Sequence, residues 1–551
     1  MLSRKILTQV FLFIYSFFLI LPNASLSSPI SSSNYSPVQT QTGNVKVFNF
    51  TISKGSYAPD GFNRNVHLIN GKFLGPTIEC DKGDTIVINV INELDEDTTI
   101  HSHGISQLGS PWYDGVPGQS QCGIPSNGTF TYKFQVNQSG TYWYHSHLKT
   151  QYVDGLSGPL IIHDPDDPYI KDYDEEIIVL LQDWYHNDSK TLLTYYLSPE
   201  SHGREPSPDN GLINGKNSYN CSFAPSGSSN CVSNATLAQF NFVQGKRYRI
   251  RIINNSAFTA FVFSIDGHSM NIIEVEGMIT QNHTVHRLPI NVGQRYSAIV
   301  TADNPGQFWM RAEMETKCYN YVSPGLNPLI KAIVTYNNST DPPSSTAWNE
   351  NVTDCVDFNA SDLKPYNTQN VPDANLNFTI TIEFYKDKKT NITLGTLNNS
   401  TYVIDLKYPT INKVYDNLTQ FTADQNVFSI EKNNTVVDII LQNYKTYEHP
   451  FHLHGHVFWV LGSGGSGTTP DYNNLNTKDP IQRDSATVPA LGWTVLRFVS
   501  NNPGVWGFHC HLEWHVEAGL VAQFVTQPDL IRQLTPPDDW KALCPQQHSK
   551  L

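Results

Sequence analysis

Cysteine is scarce in this chain. Eight in 551 residues are too few for a fold held together by disulfides and are typical of a large secreted protein with a few bridges. Basic charge is scarce too. Lys and Arg total 36 against 50 Asp and Glu, a formal charge of −14, which excludes a nucleic-acid partner, since that needs a basic face. The acidic balance suits a soluble extracellular protein or one that attracts cations. Beyond the N-terminus no apolar run is long enough to cross a bilayer, so no membrane partner is expected. Long helical periods are few. Short alternating segments divided by Gly, Pro and Asn turns dominate, which predicts an all-β fold. The length suggests roughly three domains.

The one apolar run follows Arg4 and Lys5, from Ile6 to about Leu21, and small polar residues come after it. This reads as a secretory signal peptide over residues 1–27, cleaved between Ala24 and Ser28. Roughly nineteen Asn-X-Ser/Thr sequons lie beyond it, Asn49, Asn127, Asn220, Asn351 and Asn433 among them, so glycosylation is expected at several. The C-terminal Ser549-Lys550-Leu551 matches a peroxisomal address, but a secreted chain never meets that receptor. The expected location is extracellular, free or in a cell wall.

Two repeats organise the rest. "GDTIVINVIN" (83–92), "GKRYRIRIIN" (245–254) and "NNTVVDIILQN" (433–443) each enter a β-branched strand from a turn and leave at Asn. They suggest three related domains, with boundaries at 28–167, 168–340 and 341–551. The second repeat is stronger: "GTYWYHSHLKTQYVDGL" (140–156) aligns without a gap on "GVWGFHCHLEWHVEAGL" (504–520). His145 falls on His509 and His147 on His511, while Ser146 stands at Cys510 and Gln151 at His515. In the same way "HSHG" (101–104) matches "HLHG" (452–455), with Thr98 where His449 stands. The middle domain's "NPGQFWMRAEME" (304–315) has no such histidines.

Neighbouring side chains in a strand point to opposite faces. His-X-His therefore presents two imidazoles on one side and X on the other. The pairs His101/His103, His145/His147, His452/His454 and His509/His511 give eight imidazoles, four from each of two related domains, able to close around a metal cluster between them. Cys510 faces the other way, where it can join His449 and His515 in a His₂Cys trigonal site of the blue-copper kind. One covalent segment then touches both metal sites. Structural zinc sites favour closed Cys/His tetrads, so copper suits this ligand set better.

The blocks "HSHGISQLGSPWYDGVPGQSQC", "YHSHLKTQYVDGLSGPLII", "HPFHLHGHVF" and "HCHLEWHVEAGL" resemble those of the multicopper oxidases, and the resemblance covers nearly the whole mature chain. It implies three consecutive cupredoxin-like Greek-key β-sandwich domains and four copper ions. His449, Cys510 and His515 would hold the type 1 copper, and His101 and His452 the type 2 copper. His103, His145, His147, His454, His509 and His511 would hold the type 3 pair. Ser102 departs from the Trp usual there but is no ligand. The axial type 1 position is Leu520, which cannot coordinate and should raise the potential. Asp114 and Glu513 match family acids that resemble proton relays. Cys122 and Cys544 match a bridge of laccases and ascorbate oxidases that pins the C-terminal tail to the first domain. Cys221 and Cys231 lie close enough to pair, Cys318 with Cys355 is a further candidate, and Cys80 is left odd.

The resemblance implies O₂ as electron acceptor and a monomeric enzyme. The donor is less legible. Where ferroxidases of the family carry Glu before "WYH" this chain has Asp183, as in laccases. Four residues before His449, where ferroxidases place an acid, stands Lys445, although the neighbouring Glu448 offers a substitute. Asp209, in "SPDNGLINGK", aligns with an acid that resembles the anchor of the phenolic hydroxyl in fungal laccases. The reading is a laccase-like oxidase of phenols or aromatic amines. A ferroxidase acting on Fe²⁺ and an ascorbate oxidase are the alternatives within the family, and a non-catalytic cupredoxin-repeat wall protein is the alternative outside catalysis.

Overall fold

The computed structural model describes residues 43–224, 230–336 and 342–544. The signal-peptide segment and the C-terminal tripeptide lie outside them. Among the described residues no helix is long and apolar enough to cross a membrane.

Six sheets form the described chain, and they fall in sequence order into three pairs. The repeated β-branched strand has the same place in each pair. Thr85–Asn92 runs parallel to Val45–Tyr57 and antiparallel to Thr129–Gln135. Arg247–Asn254 likewise lies between Glu175–Trp184 and Arg295–Thr301. Thr435–Asn443 lies between Leu376–Lys386 and Trp493–Ser500. Alternation explains why these segments are strands: in Thr85–Asn92, Ile86, Ile88 and Val90 are buried, while Val87, Asn89 and Ile91 turn outward, the pattern of one covered face.

The histidine-bearing strands occupy the second sheet of their pairs. Gly140–His145 sits between His101–His103 and Ser157–His163, and Gly504–Cys510 sits between His449–Leu453 and Val521–Thr526. The middle counterpart, Gln307–Met314, lies between Phe261–Ile265 and Leu329–Tyr336. It keeps the architecture, but Arg311 stands where the others carry His145 and His509, paired with Asp266, and the buried Ala312 stands where Cys510 does.

The connections between the pairs run over 164–174 and, where described, 342–375. We propose the domain boundaries at 167/168 and 340/341, but the start of the third segment packs on the middle pair. Trp348 Nε1 donates to Ile265 O and its ring stacks on His286 at 3.9 Å. Disulfides join Cys122–Cys544, Cys221–Cys231 and Cys318–Cys355, leaving Cys80 and Cys510 free and buried. One sequon is ruled out as a glycan site: Asn254 is fully buried, and its side-chain amide donates to Thr259 O and Ile290 O.

Candidate metal centre

Strand register brings the histidines together before any long-range packing is considered. His101 lies opposite His145 in one ladder, and His452 opposite His509 in another. The two sheets then meet. The His103 and His452 rings stack at 3.8 Å and those of His101 and His454 lie 4.2 Å apart. Nitrogen atoms approach more closely still: His454 Nε2 is 3.0 Å from His509 Nε2, and His511 Nε2 is 3.1 Å from His103 Nδ1. The donor atoms of His147, His454 and His509 lie within 4.8 Å of one another, as do those of His101, His452 and His454.

Seven of the eight cluster histidines are buried and His147 is partly exposed. Burial pushes His103, His145, His147, His454 and His511 well below the usual imidazole range and takes His509 down to about 3. The rings are therefore neutral, with lone pairs available. His101, His145 and His452 leave Nε2 without a partner, and His511 leaves Nδ1. A buried polar atom without a partner costs about 1–3 kcal/mol, so so many together make sense as metal ligands. Their donor set fits copper.

Cys510 faces the opposite way from its neighbours. Its Sγ lies 3.5 Å from Nδ1 of His449 and 3.5 Å from Nδ1 of His515, a trigonal N₂S arrangement in the interior of the third sheet pair. Leu520 is fully buried there, and its carbonyl accepts the Cys510 amide at 3.2 Å. Its side chain offers no donor atom.

Asp114 joins the two histidine sheets. Its Oδ2 is 3.0 Å from His454 Nδ1, and its carbonyl oxygen 2.6 Å from His101 Nδ1. Burial opposes ionisation of this carboxyl, but His454 and His101 hold it well below the usual range. Glu513 opens the short helix Glu513–Glu517. Burial first, and the Glu517 charge second, push its carboxyl well above the usual range.

Two other acids have roles different from those expected. Asp183 is no donor-binding group: its oxygens accept the backbone N–H groups of Ala257, Phe258 and Thr259 at 2.8–3.1 Å. It fixes a loop whose Ala257 carbonyl in turn accepts the Glu513 amide. Asp209 is not at His515 either. Its amide donates to Trp184 O and its Oδ2 accepts the His186 amide at 2.8 Å, which ties off the adjoining strand end.

The acid at His515 is Glu205, whose Oε1 lies 3.1 Å from His515 Nε2. Burial works against its charge, but His515 and the Asn320 amide hold the carboxyl below the usual range. Glu205 shares a small cavity with Phe258, Tyr319, Tyr447, Glu448 and Leu512, leaving about 10 Å³ for a water-sized occupant. Glu448 Oε2 has no partner, and burial pushes this carboxyl up to about 8. Asp484 is the second acid missed: its Oδ1 is 3.3 Å from His103 Nε2 and 3.4 Å from His452 Nδ1. Nothing in "SHGREPSPD" or "IQRDSATV" marks either residue, since both approach the histidines only through the packing of distant loops and strands.

Family models described as multicopper oxidase match residues 51–167, 175–339 and 355–530. Laccase-1 of Cryptococcus neoformans var. neoformans is 34% identical, the match covering 92% of this chain and 84% of that protein. The crystal structure of the laccase from Botrytis aclada superposes with a TM-score of 0.84 at 34% identity, covering 92% of each chain. That of Fet3p, described as a multicopper oxidase that functions in iron import, gives 0.82 at 30% identity, covering 91% of this chain and 94% of the other. With matched segments spanning all three sheet pairs, and relatives aligned over nine-tenths of its length, the chain belongs to the multicopper oxidase family of copper-dependent, O₂-using oxidoreductases.

Proposed function

We propose that this is a secreted, laccase-like oxidase that removes single electrons from phenols or aromatic amines. His449, Cys510 and His515 hold the type 1 copper, and His101 and His452 the type 2 copper. His103, His145 and His511 with His147, His454 and His509 hold the type 3 pair, for a total of four. When bound, the coppers take up electrons one at a time and deliver four of them to O₂.

The observation that carries the donor class is the Glu205–His515 contact within aromatic walls. An ionised Glu205 accepts the proton that a phenol releases as it gives up an electron. The buried edge of His515 faces the same point, so proton and electron leave together. Phe258, Tyr319 and Tyr447 give an aromatic ring flat surfaces to lie against once their side chains part to admit it. His509, Cys510 and His511 are consecutive residues, and His509 Nδ1 lies 2.9 Å from the Cys510 carbonyl, so the route from thiolate to cluster is short and mostly covalent. Four donors release four electrons and four protons, which with O₂ give two waters. Glu513, whose burial favours the protonated carboxyl, would give protons to the cluster, and Asp114 would orient His454 and His101.

A second reading is Fe²⁺ oxidation. It is favoured by Glu448, whose unpaired carboxylate oxygen adjoins the cavity of Glu205, because two carboxylates suit a small hard cation. Oxygen uptake by copper-loaded protein, with a methoxyphenol and with Fe²⁺ side by side, separates the two. Efficient uptake with the phenol that collapses in Glu205→Ala supports the first reading. Uptake with iron alone, abolished in Glu448→Gln, replaces it with the second.

A further inference from the structure

The middle domain supplies no histidine to the cluster, yet its Arg295 reaches it. Arg295 is fully buried and meets Asp484 with two contacts, Nη1 to Oδ1 at 2.8 Å and Nη2 to Oδ2 at 2.6 Å. The same carboxylate touches His103 and His452, so one side chain is shared by an imidazole of the first domain, a guanidinium of the second and an imidazole of the third. Both partners are held from behind. Arg295 Nε donates to Thr141 O and Nη1 to Gly293 O. Glu276 of the middle domain accepts the amides of Asp484 and Ser485 and pairs with Arg483 at 2.6 Å.

A carboxylate that takes the N–H of an imidazole decides which ring nitrogen keeps its proton and which presents a lone pair. His103 shows the consequence. Its Nε2 faces Asp484 and its Nδ1 faces His511 at 3.1 Å. In His452, Nδ1 meets the Asp484 carbonyl at 2.8 Å and Nε2 is left free. The arrangement also accounts for Gly104 directly after "HSH": with φ at +86°, a Cβ there would sit 2.5 Å from Arg295 Nη2 and 2.7 Å from Asp484 Oδ2. Glycine is the residue that lets the pair approach.

We propose that Arg295 and Asp484 form a positioning pair through which the middle domain sets the orientation and tautomer of His103 and His452, so that cluster copper binds only when the domains are correctly assembled. This rests on the ligand assignment proposed above. The pair is two-pronged and planar, so lysine cannot reproduce it although the charge is kept.

The test uses full-length Arg295→Lys, Arg295→Met and Asp484→Asn, reconstituted with copper. Copper per chain, the type 2 paramagnetic resonance signal and the blue thiolate–copper band are measured together. We expect about 10–100-fold weaker copper binding at the cluster, an altered or lost type 2 signal and an unchanged blue band, with Arg295→Lys between the wild type and Arg295→Met. Wild-type cluster affinity and an unaltered type 2 signal in all three would overturn the role, even if thermal stability fell. Should Asp484→Asn also lose the blue band through misfolding, Arg295→Lys decides between the same two results. A wild-type protein that shows the blue band but never a cluster signal would overturn the ligand assignment itself, and the pair's role with it.

Discussion

Glu205 and His515 stand 310 residues apart in sequence, yet their side chains meet at 3.1 Å in the interior. The contact joins a loop of the middle domain to the short helix of the third. It places a charged base beside the imidazole that also faces Cys510 through its other nitrogen. On the proposed reading, proton acceptor and electron acceptor are thus one hydrogen bond apart.

Replacing Glu205 should therefore damage donor oxidation without disturbing the copper sites. For Glu205→Ala we expect kcat/KM for a simple phenol to fall about 10²–10⁴-fold, the range for loss of a general base. The blue band should stay intact, and the loss should shrink as pH rises and the phenol ionises unaided. Steady-state kinetics across pH with absorption spectra checks this. A full-strength enzyme, or a loss equal at every pH, would remove the base role.

Leu520 offers a second test, independent of the donor. Leu and Met are close in volume, so Leu520→Met should cost under about 1.5 kcal/mol of stability. It would place a thioether where the N₂S site has no further ligand. A weak sulfur ligand stabilises oxidised copper, so the type 1 potential should fall and high-potential phenols should be oxidised more slowly. Redox titration of the blue band measures the shift. No change would mean that residue 520 is not axial to the site.

Most of the histidine and cysteine clustering was legible because its code is local. Strand period 2 puts His101 with His103 and His509 with His511 on one side, and the same rule turns Cys510 away. Three-dimensional acids were not legible in this way. The family resemblance pointed to Asp209, four residues beyond Glu205, because a loop carries no periodicity that fixes where its side chains point. Asp183 stood at the expected place, but the chain Ala257–Thr259 brought three N–H groups to it, and a carboxylate so occupied is not free for a donor. Asp484 was invisible because its meaning depends on Arg295, far away in sequence.

Glu315 gives a pH prediction whose sign is fixed. It is largely buried, close to the acids Asp354 and Asp357, and burial chiefly raises its carboxyl from 4.5 to about 7. Between those values the folded protein holds a proton that the unfolded chain releases, so stability falls as pH rises through the window and is lowest above it. Glu315→Gln removes the ionisation while keeping an acceptor for the Cys355 amide. We expect it to unfold at higher temperature than wild type at pH 8, a stability gain on the order of 3 kcal/mol, with the difference vanishing near pH 4. Thermal unfolding at both pH values decides. An equal difference at the two would show a packing effect instead of an ionisation.

Gly293 tests the cluster from the side of the middle domain. Its φ is +80°, and a Cβ would lie 2.9 Å from Cδ2 of His511 and 3.3 Å from Cε1 of His103. Those two rings face each other at 3.1 Å between nitrogens, so neither can yield without disturbing the other. Gly293→Ala also forces alanine into left-handed backbone, a strain of about 1–3 kcal/mol. We expect the variant to keep its blue band, because Cys510 points away from His509 and His511, toward His449 and His515. Type 3 copper should be lost, and oxygen uptake with it, while electrons from the donor still bleach the blue colour. Stopped-flow reduction followed by re-exposure to O₂ reads both halves separately. Normal reoxidation would mean that the histidines tolerate the added methyl group and that the close packing at Gly293 does not control the cluster.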